Sequence, residues 1–238
     1  GTDPRLERAE LDKLLEFQVE GLILISHRLT AAALRSLAME VPTVVITRRD
    51  VIGPRIDTVS NDDVAGAAMA VEHLVGLGHR RITHLSGGDN PVSKDRCRGY
   101  VEAMSAAGLR SRSHVVEGGL TDADGYAAAD EALRGARPPT ALFVANDLAA
   151  LGAVAAIQDR ELAVPEDVSV VGYDGIGLGA LRTLSLTTVA QPLTDMGTLA
   201  AQRLFVRIDR PRSRAKHISV DARLTVRNST GRVPRGAR

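Results

Sequence analysis

The residues best placed to do chemistry lie around Asp174. A run of β-branched residues, Val168, Val170 and Val171, stops at Gly172, and Asp174 follows ahead of a glycine-rich loop. Such a run reads as a parallel strand buried on both faces. In an open α/β sheet, whatever lies just past the carboxyl end of such a strand meets the ligand crevice. There Asp174 can accept hydrogen bonds from two hydroxyls; the competing use is an Asp capping its own turn. Arg96 offers a planar fork to ligand oxygens and a partner for Asp174 when the site is empty, against the alternative of a solvated arginine on a helix surface. Asn146 again follows a strand-like run. It can meet a ligand, with Asp147 taking over as helix cap, or it can be the N-cap itself.

Other candidates carry less. Gly175, Gly177 and Ala180 match G-x-G-x-x-A after a strand, the pattern that cradles a dinucleotide pyrophosphate. The Asp174 carboxylate would face that pyrophosphate. The acidic residue expected about 20 positions on at the end of a second strand is also missing, since Asp195 falls in a helical stretch. The glycines therefore read as a loop, and no cofactor is expected. His73, His79 and His84 have no cysteine or carboxylate at metal-ligand spacing and read as core or surface histidines. No G-x-S-x-G elbow, P-loop or paired catalytic constellation occurs, so no enzyme is expected. Cys97, in an apolar helix, reads as packing.

The elements that must position these residues follow from apolar periodicity. Asp3 is placed to cap a first helix with Pro4 at its first position, and Leu6, Leu11, Leu14, Leu15 and Phe17 give it an apolar face. Strands are expected at 21–25, 43–46 and 56–60, with a helix from Thr30 through Met39. From residue 61 the alternation is regular: a helix to Leu77, a strand at 82–85, a helix at 93–107, a short strand at 115–116, a helix at 121–133 and a strand at 141–145. A helix to Arg160 and the Asp174 strand follow, then Leu186–Val189, a helix from Pro192 to Ile208, and two short runs at 216–220 and 222–227. Strand–helix units repeated in this way make parallel sheets covered by helices on both sides.

Composition agrees. The chain of 238 residues is 44% hydrophobic but only 3% aromatic, so its cores rest on Ala, Val, Leu and Ile. A net charge of +1 supplies no global field for nucleic acid or an anionic membrane. One cysteine excludes an internal disulfide framework and fits a reducing, cytoplasmic setting. No apolar run approaches the length of a membrane span.

With the elements placed, an ordered set of segments resembles the effector-binding core of the lactose/galactose repressor family of bacterial transcription regulators. The segments are Val71-Glu72-His73-Leu74 with Leu77 through Ile82; Arg96-Cys97-Arg98-Gly99-Tyr100; Ala145-Asn146-Asp147 with Ala150 through Ala153; Pro165 through Asp174; Leu186 through Val189 with Gln191-Pro192; and Arg223 through Arg227 with Ser229-Thr230. They follow family order and spacing over nearly the whole chain.

The resemblance implies an α/β fold of two doubly wound parallel-sheet lobes joined by three crossings, like the type I periplasmic binding proteins, with a sugar-like effector held between them. One lobe would comprise 1–60 with 191–211, the other 62–189 with 213–230, and 231–238 would be a frayed tail. The crossings would fall near Ser60-Asn61, Ala190-Gln191 and Arg212-Ser213. The first lobe would be incomplete at its N-terminus, lacking its opening strands and the helix-turn-helix headpiece, and would expose apolar faces at Leu22 to Ile25 and at Ile56 to Val59. Ligand residues implied are Asp174, Arg96, Asn146, Gln191, Arg48 and Leu120. Leu120 stands where relatives often place an aromatic platform, and Thr47 replaces the acidic partner of Arg48, so the effector would depart from an ordinary hexose. The partners implied are a small-molecule effector of carbohydrate type, a second copy in a homodimer, and operator DNA reached only through a headpiece. A solute-binding protein of a sugar importer shares the architecture and is the alternative.

Overall fold

A computed structural model describes residues 4–25 and 28–233. The chain divides into two units, one of residues 1–62 with 192–221 and one of 63–191 with 222–238.

The first unit holds helix α1 (Pro4–Glu16), β1 (Leu22–Ile25), α2 (Ala31–Glu40), β2 (Thr43–Ile46) and β3 (Ile56–Asn61), and takes back the later α7 (Leu193–Asp209) and β9 (His217–Val220). Its four strands lie in the order β1-β2-β3-β9, all parallel. Side-chain alternation along β2 sends Val45 to one face, against Leu34 and Leu37 of α2, and Val44 and Ile46 to the other, with Met196 and Ala200 of α7. Thr30 caps α2 by accepting from the Ala33 amide at 3.1 Å. The cap expected at Asp3 lies outside the described residues.

The second unit contains α3 (Asp63–Gly76), β4 (Ile82–Leu85), α4 (Pro91–Ala106), β5 (His114–Val116), α5 (Asp122–Leu133), β6 (Ala141–Val144), α6 (Asp147–Gln158), β7 (Ser169–Asp174), β8 (Thr187–Ala190) and β10 (Arg223–Thr225). Its sheet runs β10-β8-β7-β6-β4-β5, parallel except for β10, which pairs antiparallel with β8. Here alternation covers both faces. Leu142, Val144 and Val170 pack with α5 and α6, while Phe143, Val171 and Tyr173 pack with α3 and α4. Helices α5 and α6 meet backbone to backbone: a Cβ on Gly152 would stand 1.8 Å from the Asp122 carbonyl oxygen, and one on Gly125 1.9 Å from that of Ala149. No other residue fits at either crossing.

Three details differ from the sequence reading. The stretch 213–221, expected with the other lobe, belongs to the first unit, because β9 pairs with β3 (Thr58 opposite His217) and the chain leaves only at Asp221–Ala222. Strand β3 therefore has neighbours on both sides, and Ile56 and Val59 are fully buried, not exposed. The expected exposure falls on the edge strand β1, at Ile23 and Ile25, while Leu22 is buried. The tail is held at its start: Gly231 accepts from His79 Nε2 and donates to Ser169 Oγ, and the Val233 amide donates to Leu77 O. Residues 234–238 lie outside the described set.

Candidate effector site

Strands β4, β6 and β7 run parallel and adjacent, so their carboxyl ends open on one edge of the second unit's sheet. Asp174 ends β7 at φ 105°, a conformation L-residues rarely adopt, held there by the Gln191 amide donating to its carbonyl at 3.0 Å. Arg96 approaches from α4. Its Nε donates to Asp63 Oδ1 at 2.9 Å, one terminal nitrogen to the Ala145 carbonyl at 2.5 Å, and the other to Asp174 Oδ1 at 3.3 Å. The guanidinium carbon lies 3.6 Å from the centre of the Tyr173 ring, a cation–π contact. Gln191 Nε2 donates to the same Asp174 Oδ1 at 2.7 Å.

This arrangement leaves acceptors unused. Asp174 Oδ1 takes both donors, while Oδ2 has no partner among the described residues and the side chain keeps 26% of its exposure. Gln191 Oε1 is buried and also accepts nothing. Burial pushes the Asp174 carboxyl up from its ordinary pKa, with Arg96 and Gln191 pulling the other way. Burial works against the Arg96 charge, but Asp174 and Asp63 outweigh it and its pKa rises. The charge is therefore permanent, and the site holds two idle acceptors beside it.

A family model for a periplasmic binding protein-like domain matches residues 71–230. The chain is 33% identical over 238 residues to the HTH-type transcriptional repressor PurR of Edwardsiella ictaluri (strain 93-146), a match covering 96% of this chain and 68% of that protein. It is similar to the crystal structure of a LacI transcriptional regulator from a Rhodococcus species, with a TM-score of 0.91 and 34% identity over 96% of this chain and 84% of that one. The chain belongs to the lactose/galactose repressor family of transcriptional regulators. It is the periplasmic-binding-protein-like core of such a regulator and spans about two thirds of the length of the curated relatives it matches. Another family structure, from Enterococcus faecium, was solved with bound ribose and shares 28% identity at a TM-score of 0.83, over 92% of this chain and 82% of that one.

Within this family core, the structure brings Asp174, Arg96 and Gln191 together and treats the other expected residues differently. Asn146 is the N-cap of α6: its Oδ1 accepts from the Ala149 amide at 2.8 Å and its Nδ2 donates to the Leu120 carbonyl at 3.0 Å. Asp147 does not take over that cap. It is fully buried and holds the loop after β7, with Oδ2 accepting from the Gly175 and Ile176 amides at 2.8 Å each and Oδ1 from Thr188 Oγ1 at 2.6 Å. The amides of the G-x-G-x-x-A loop thus face an internal carboxylate. Burial raises the Asp147 pKa to about 6. Leu120 is 39% exposed, and a Cβ on Gly87 would lie 2.7 Å from its Cδ2, which places it beside the end of β4.

Arg48 lies in the first unit and has not lost its acidic partner. Asp50, two residues on, accepts from Nε at 2.8 Å and from a terminal nitrogen, and Leu29 O accepts from the other at 2.5 Å. The substitution at Thr47 moves the carboxylate; it does not remove it.

Sequence reasoning missed two members of the site. Asp63 read as one of several capping residues, yet it is the principal ion partner of Arg96, with both side chains more than nine-tenths buried. Tyr173 read as part of a strand, yet its ring carries the guanidinium and its hydroxyl hydrogen-bonds Asp63. A Cβ on Gly66 would stand 2.2 Å from that hydroxyl, so the glycine in α3 is what admits the tyrosine. Spacing from Asp63 to Gly66 was the available signal. The three histidines are engaged internally: His73 with Thr230, His79 with Thr140 and Gly231, and His84 stacked on Phe143 with burial lowering its pKa to about 4. Among the described residues no three metal-ligating side chains converge.

Proposed function

We propose that this core senses a small hydroxylated effector at the carboxyl end of the second unit's sheet, and passes that state to a DNA-binding headpiece elsewhere in the full regulator. The observation carrying the reading is the pair of unfilled acceptors, Asp174 Oδ2 and Gln191 Oε1, beside the fixed Arg96 guanidinium. A vicinal diol supplies the two donors these acceptors lack, and its ring oxygen can accept from Arg96. The ribose bound in the Enterococcus faecium relative supports the carbohydrate class. Leu120 and Asn146 belong to the rim in this reading: Leu120 gives an aliphatic face where an aromatic ring would stack better, and Asn146, held as a cap, offers the ligand only what remains of its polar atoms. Arg48 is committed within its own unit, and the proposal needs no contact from it.

The core acts by binding and catalyses nothing, works as a homodimer, and belongs to the cytoplasm with the DNA it serves. Regulator relatives support this, as does the absence, among the described residues, of a helix long and apolar enough to cross a membrane. Differential scanning fluorimetry against a panel of pentoses, hexoses and disaccharides tests it, since a ligand of the folded state raises its apparent stability. A sugar that raises the melting temperature of the parent and not of Asp174→Ala is expected; a shift of the same size in both would remove the site.

A further inference from the structure

The opposite edge of the same sheet carries a second polar concavity with a different chemistry. Strands β6, β4 and β5 are adjacent and parallel, so their amino ends also lie side by side. The residues preceding them converge there: Arg81 before β4, Arg112 in the turn before β5, His114 opening β5, and Arg137 in the loop between α5 and β6. They line a cleft of about 770 Å³. No carboxylate or carboxamide is among the lining residues, so three guanidiniums share a concave surface without a counter-charge. Arg81 is anchored by Nε to the Pro138 carbonyl at 3.0 Å, while the side chains of Arg112, Arg137 and His114 have no hydrogen-bond or ion partner among the described residues. The remaining wall is apolar, formed by Ile82, Ala132 and Pro138.

We infer that this cleft binds a small organic phosphomonoester. Three like charges in a partly enclosed space repel one another, and a dianion relieves the repulsion while accepting the forked hydrogen bonds that guanidinium provides. A neutral sugar fits poorly, because its hydroxyls would find no carboxylate or amide oxygen in the lining to accept them. Inorganic phosphate would leave the apolar wall uncovered, and the volume lies in the range of roughly 300–1,000 Å³ typical of sites for whole small molecules. The ligand therefore has a dianionic head on the arginines and a compact body against Ile82, Ala132 and Pro138. Because the effector residues stand at the carboxyl ends of these same strands, the two sites are separate inputs to one sheet.

Calorimetric titration of the full-length regulator with phenyl phosphate, inorganic phosphate, benzyl alcohol and a hexaglutamate peptide tests the inference. Phenyl phosphate should bind more tightly than inorganic phosphate, and benzyl alcohol should not bind. The double variant Arg112→Gln/Arg137→Gln should weaken phenyl phosphate by at least about tenfold, the scale of losing charge-assisted bonds. Both side chains are exposed, so the variant should fold, as far-ultraviolet circular dichroism would verify, and Arg112→Lys/Arg137→Lys should bind with intermediate strength. Asp174→Ala should leave phenyl phosphate affinity unchanged. The inference is overturned if phenyl phosphate does not bind, if the double variant binds it as the parent does, or if hexaglutamate binds more tightly and displaces it. That last outcome would make the cleft a dock for an acidic protein segment.

Discussion

Each unit holds a buried arginine–aspartate network, and the two are built to different ends. In the first unit Asp57 is fully buried and both its oxygens are used: Arg203 Nε donates at 2.7 Å to one, while a terminal nitrogen of Arg207 at 2.5 Å and the Lys216 amide at 2.9 Å donate to the other. The two arginines stand four residues apart on α7, so one helix face delivers both. In the second unit Arg96 is equally buried, but its second carboxylate, Asp174, keeps an open edge and an idle oxygen beside the unpaired Gln191 Oε1. Residue type does not separate the two networks. Saturation does: a carboxylate with every lone pair engaged fixes the fold, and one with a lone pair to spare can recognise a ligand.

Four expected outcomes would break or sharpen that contrast. The largest is Asp57→Ala, which strands two guanidiniums in the first unit and should cost about 3–5 kcal/mol in urea unfolding; a loss below about 1 kcal/mol would show that the network is not structural. Next is Asp147→Asn. Because burial raises the Asp147 pKa to about 6 in the fold, the protonated form is favoured there, and its contribution is full below the unfolded pKa near 3.8 and lost as pH rises through 6. The amide keeps an oxygen for Gly175 and Ile176 and can donate to Thr188. The variant should therefore gain about 2–3 kcal/mol on the parent between pH 4 and pH 7.5, following the conversion of about 1.4 kcal/mol per unit; a pH-independent difference would contradict the burial argument.

Asp174→Ala should weaken effector binding by about 1–3 kcal/mol, the scale for hydrogen bonds to a charged group. Its stability cost should be well below that of Asp57→Ala, since Arg96 keeps Asp63. Calorimetry giving unchanged affinity would end the comparison. The smallest effect is Leu120→Trp, which should tighten a pyranose by about 0.5–1.5 kcal/mol through a stacking face; weaker binding would mean that Leu120 is not beside the ligand.

Much of this was legible in the sequence because it depends on local rules. The β-branched run ending at Gly172 marked β7, and the glycines after it read correctly as a loop because Asp174 stood where a pyrophosphate would need to be. Asn146 shows where local rules stop. Its two uses compete for one side chain, and the choice turned on Asp147, whose carboxylate is drawn 41 residues along the chain to Thr188. Strand β9 is similar: nothing in 216–220 says which sheet it joins, and pairing with β3 moved the last crossing from residue 212 to 221.

The sequence by itself determined the α/β alternation, the family and the placing of Asp174 at a strand end, since periodicity, turn chemistry and ordered motifs are properties of neighbours along the chain. Only the tertiary structure decided which polar groups are satisfied. Asp63 meets Arg96 across 33 residues and Asp57 meets Arg207 across 150, and whether a carboxylate has an oxygen left over depends on every such partner at once. Hydrogen-bond saturation is a sum over distant contacts, and that sum is what separates the network that holds the first unit together from the one that awaits a ligand in the second.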